Sequence, residues 1–125
     1  MKKTLIIISL AFAPTLASLV SATPVVAATS QALGDLSHFK TIANDTLTLV
    51  ESGDMVAAQK RITDFETEWD AAQSRLYPLN HEEWGAIDTA ADGAISSLRA
   101  KKPSPANAKL ALKTLIKVMQ NPSMK

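Results

Sequence analysis

Between Met55 and Leu76 the apolar side chains fall at Met55, Ala58, Ile62, Phe65, Trp69, Ala72 and Leu76, alternating steps of three and four without a miss. Only an α-helix gathers that spacing onto one face, and a heptad seam this regular must be covered by other helices. The rest of the chain supplies them. Leu36, Phe39, Ile42, Ala43, Leu49 and Val50 repeat the spacing ahead of the stop signal Gly53, which predicts a first helix over about 33–52. Pro78 closes the second helix. Asn80 can cap a third, with Glu83 three residues on completing a capping-box pair, and Trp84, Ile87, Ala91, Ala94, Ile95 and Leu98 form its stripe as far as about Ala100. In the linker Lys101 to Pro105, Ser104 is a natural cap and Pro105 suits a first helical position. A fourth helix follows, with Leu112, Leu115 and Val118 or Met119 turned inward, and Pro122 ends it. No stretch alternates in the manner of a strand, and the connections are too short to hide a sheet. Short links force antiparallel neighbours, so the sequence predicts an all-α, up-down-up-down four-helix bundle.

Ahead of the bundle, Met1-Lys2-Lys3 is a positive start and Leu5 to Ala13 an apolar run broken at Pro14, with small residues gathered from Ala22 to Ala28. That is the pattern of a secretory signal peptide over 1–27, with cleavage expected near Ala27 or Ala28. The apolar run is shorter than the roughly 20 residues a membrane span needs. The expectation is an exported, periplasmic or secreted protein with a single helical domain over 28–125. The chain has no cysteine, which removes disulfides, thiolate metal sites, a cysteine nucleophile and covalent haem attachment.

Charge is nearly balanced overall, with 13 basic and 12 acidic residues, and loss of Lys2 and Lys3 with the leader would leave one excess acid. A nucleic-acid binder would show a basic excess, so none is expected as a partner. The distribution is uneven: all the acids lie between Asp35 and Asp92, while the segment from Arg99 onward is purely basic. Lys109, Lys113 and Lys117, four residues apart, put a basic stripe on the last helix. Neutralisation against the acidic helices is its simplest account, and contact with an anionic membrane surface or partner the sharper one. Glu66, Asp70, His81 and Glu82 are the candidate metal ligands, suited to iron or another oxygen-preferring cation, divalent or ferric. The bundle nevertheless lacks the paired Glu-x-x-His motifs of di-metal sites, and Glu82 and Glu83 also suit a helix N-terminus as dipole partners.

His38 and His81 are the sole histidines and neither has an organised nucleophile nearby, so no catalytic residue is assigned and no enzyme is expected. Trp69 and Trp84 read as core anchors, and Tyr77 as a cover for the turn at Pro78. The third helix carries one feature beyond its core stripe. Gly85, Ala86, Thr89, Ala90, Gly93 and Ser97 fill much of its remaining surface with small residues, which permits the close approach of a backbone or partner, leaves a shallow groove, or is simply an exposed surface of small side chains.

Ser52-Gly53-Asp54, Ala57-Ala58, Ile62, Phe65-Glu66 and Trp69-Asp70, followed by Trp84, Ile87, Ala94-Ile95 and Leu98, resemble the exported helical domain attached to bacterial iron permeases of the oxidase-coupled type. The resemblance spans about residues 35–118 and consists mostly of helix punctuation and core positions. It implies a stand-alone exported module allied to metal uptake, with Glu66 and Asp70 as the matching acids. The membrane helices and glutamate motifs that carry iron in that family have no counterpart here. Three functions are therefore expected to compete: a non-enzymatic binding or interaction module with a protein partner in the cell envelope, a metal-binding accessory protein, and an envelope or membrane-surface structural protein.

Overall fold

The computed structural model describes residues 33–120. The expected signal peptide and its cleavage site lie outside the described residues, as does Pro122. Four helices follow in order, α1 Ser37–Glu51, α2 Met55–Leu76, α3 His81–Arg99 and α4 Pro105–Gln120. Each packs on its two neighbours in the cycle α1, α2, α3, α4 and back to α1, the arrangement of an up-down-up-down four-helix bundle. No strand occurs among the described residues, and no helix there is long and apolar enough to cross a membrane.

The chain's punctuation explains where each helix begins and ends. The first helix starts later than its apolar spacing suggests, because Gly34 turns the backbone left-handed at φ +79° and Asp35 accepts the Ser37 N–H at 2.8 Å. Leu33 and Leu36 still reach the core, but from the lead-in segment and not from a helix. At the other end of α1, Gly53 at φ +83° allows a Schellman closure. Its N–H donates to the Val50 carbonyl at 3.0 Å and that of Asp54 to the Leu49 carbonyl at 2.9 Å. Asp54 then caps α2 by accepting the Ala57 N–H at 3.0 Å, so two consecutive residues end one helix and start the next. Asn80 accepts the Glu83 N–H at 3.0 Å. The reciprocal half of a capping box is missing, for Glu83 Oε2 is buried with no hydrogen-bond partner among the described residues. Ser104 and Pro105 open α4 as their types require.

The seam of α2 is the centre of the core: Ala58, Ile62, Phe65, Trp69, Ala72 and Leu76 are all buried. Phe39 of α1 meets Trp69 edge-on at a ring separation of 5.2 Å, and Trp69 stacks on Trp84 of α3 at 5.8 Å. Met119, not Val118, faces inward from α4. Thr46 is a polar residue inside the core, and its hydroxyl donates to the Ile42 carbonyl one turn back.

Candidate functional site

Among the described residues, charged flanks tie helices together and an apolar groove lies between two of the helices. The flanks are largely occupied by neighbouring chain. Arg99 forks onto both carboxylate oxygens of Glu66, at 2.8 and 3.2 Å, joining α3 to α2. Arg61 joins α2 to Asp45 of α1 at 2.8 Å, and its charge is further stabilised by Asp45 and Asp64. His38 pairs with Glu68. Lys109 reaches Glu51 of α1 at 3.3 Å, so the first lysine of the basic stripe neutralises an acid at the bundle rim. Lys113 is exposed, and Lys117 stands on the edge of the groove.

The four candidate metal ligands go to different tasks. Glu66 is held by Arg99, and His81 stacks its ring on Tyr77 at 4.1 Å. Asp70 is exposed and Glu82 borders the groove. Among the described residues no three His, Asp or Glu side chains converge to hold a metal ion.

The Asp88 carboxylate departs from ordinary behaviour through burial. Asp88 of α3 accepts the Trp69 indole N–H at 3.1 Å. Its partial burial raises its pKa, the indole bond works the other way, and the charges of Asp92 and Asp70 add to the rise. The arrangement is structural, a polar lock between α2 and α3. Trp84 beside it has no such lock, since its buried Nε1–H lacks a hydrogen-bond partner among the described residues.

The groove lies between α3 and α4, opens to solvent and has a volume of about 1090 Å³. Its α3 wall is Gly85, Ala86, Thr89, Ala90 and Gly93, five of the six small residues that stand out in the sequence. The facing wall comes from Leu110, Ala111, Thr114 and Val118 of α4. That second wall is not evident from the inward stripe of α4. Its one signal is Leu110, an aliphatic residue off the stripe and 67% exposed. Gly85 and Gly93 sit inside a regular helix, and among the described residues a Cβ placed at either would meet nothing within 4 Å. Neither glycine serves a turn or a close approach within the bundle, although each costs a helix interior about 0.5–1 kcal/mol relative to alanine. Glu82 and Lys117 flank the groove at one end, one on each helix.

Comparison with protein-family models, curated proteins and solved structures finds no match to this chain. The likeness to the permease-associated domain therefore rests on the residues quoted for it, and Glu66, one of its two acids, is engaged by Arg99.

Proposed function

We propose that this chain is a small, non-enzymatic interaction module, exported to the cell envelope, that docks a protein partner in the α3–α4 groove. The observation that carries the reading is the pair of glycines in α3 with open space beside them. They weaken the helix and relieve no internal crowding, so their use lies outside the bundle, in letting another backbone or side chain come close. The apolar walls suit burial, and the exposed Leu110 gives the surface a projecting anchor. Charged groups at one end supply orientation without dominating the contact.

A photo-reactive residue at Ala90, inside the groove, tests this in cells that produce the chain. The expected result is a discrete protein adduct from position 90 and none from Lys60, which is exposed and does not border the groove. Equal, diffuse labelling from the two positions would remove the groove as a docking surface.

A further inference from the structure

We propose that the occupant of the α3–α4 groove is the same groove of a second copy of this chain, the two copies being related by a two-fold axis parallel to the helices. This rests on reading the groove as a docking surface and adds the identity of what docks. The first argument is charge. Because α3 and α4 are antiparallel, Glu82 in the first turn of α3 and Lys117 in the last turn of α4 stand at the same end of the groove, on opposite edges. Among the described residues neither is engaged in an ion pair. A two-fold axis along the groove lays α3 of one copy over α4 of the other without changing height. Glu82 of each copy then faces Lys117 of the other, twice over.

The second argument is shape. The groove is lined from Glu82 to Gly93 on α3 and from Asn107 to Val118 on α4, antiparallel stretches of equal length, so Ala90 and Leu110 each lie about 5 Å from its far end by the helical rise of 1.5 Å per residue. The same rotation therefore sets the projecting Leu110 of each copy over α3 of the other at Ala90, where only a methyl group stands in the way, with the bare Gly93 one turn on. Each copy presents both the projection and the recess, as an isologous interface requires. The area is consistent with a modest association. Two helices about 9 Å apart and about 24 Å long offer roughly 450–500 Å² per copy, close to 1,000 Å² in all, at the lower limit for a specific interface. The dimer is thus expected to form in the micromolar range and to dissociate on dilution.

Sedimentation velocity on the protein recovered from cells expressing the full sequence tests the pairing from submicromolar to millimolar concentration. The wild type is expected to pass from monomer to dimer. Glu82→Lys alone and Lys117→Glu alone each create two like-charge contacts and should shift the midpoint of dimerisation at least tenfold upward. An equimolar mixture of the two variants restores both opposite-charge contacts and should dimerise at least as well as the wild type. Both residues are on the surface and outside the core, and a circular-dichroism spectrum unchanged from the wild type confirms the fold of each variant. A wild type that stays monomeric throughout, or a dimer indifferent to both single variants, overturns the proposal. An adduct from Ala90 whose mass is not twice that of the chain also overturns it, while leaving the groove as a docking surface for another protein.

Discussion

Asp88 shows how a single side chain can hold two helices together at a cost. It accepts the Trp69 indole N–H while partly buried and close to two other acids. Its folded pKa is raised, so the folded protein binds a proton more tightly than the unfolded chain does. Stability from this group is therefore greatest in acid and falls as pH rises from the ordinary carboxylate range through the raised value. Asp88→Asn keeps an acceptor for the indole and removes the charge. It is expected to raise the thermal midpoint at pH 7, with the gain vanishing in acid. Asp88→Ala leaves the indole N–H unpaired and should cost about 1–3 kcal/mol in a denaturant titration. Trp84 makes the contrast, since its indole N–H already lacks a partner among the described residues. Trp84→Phe should therefore cost less than Trp69→Phe, which would strand the Asp88 carboxylate, and paired urea titrations decide it. The Trp69–Asp88 bond was not legible in the sequence because 19 residues separate the two and nothing in either helix's spacing names the partner.

At the scale of elements, the sequence spoke most clearly where backbone chemistry decides the outcome. Gly53-Asp54 closes α1 and caps α2 in one step. Gly53→Ala forces an L-residue into the left-handed region and should cost about 1–2 kcal/mol. Asp54→Ala should cost about 1 kcal/mol through the lost cap, and thermal unfolding measures both. The seam of α2 was read correctly in its buried positions because a strict heptad leaves one face to bury. The start of α1 was not, since Leu33 and Leu36 carry helical spacing yet enter the core through a turn set by Gly34 and Asp35. Spacing reports which residues are buried, and only the local backbone reports how they arrive. Leu36→Ala should consequently cost as much as a helical core truncation, about 2–5 kcal/mol, although Leu36 precedes the first helix.

The described residues form a bundle whose helices are pinned at the flanks by Arg99–Glu66, Arg61–Asp45, His38–Glu68 and Lys109–Glu51, with an apolar groove between α3 and α4. Half of that groove was legible: the small residues of α3 are conspicuous in the sequence. Its other wall was not, because assigning Leu110 and Ala111 to an outer surface requires knowing which face of α4 the bundle claims. The same uncertainty dispersed the candidate metal ligands, for residues on separate helices converge only if the helices turn them toward one point, and Glu66 is turned toward Arg99. Filling the groove separates the needs of the fold from those of docking. Gly85→Gln with Gly93→Gln adds side chains where nothing obstructs them and improves helix propensity. At concentrations below association the double variant should unfold a few degrees higher than the wild type, by about 1 kcal/mol in all. The most direct test of the groove's role is photo-cross-linking from Ala90 in that filled background beside the unfilled one. The account predicts a discrete adduct from the wild-type groove and its loss when the groove is filled, in a protein that melts no earlier. An adduct undiminished by the filling would show that docking does not use the space between α3 and α4.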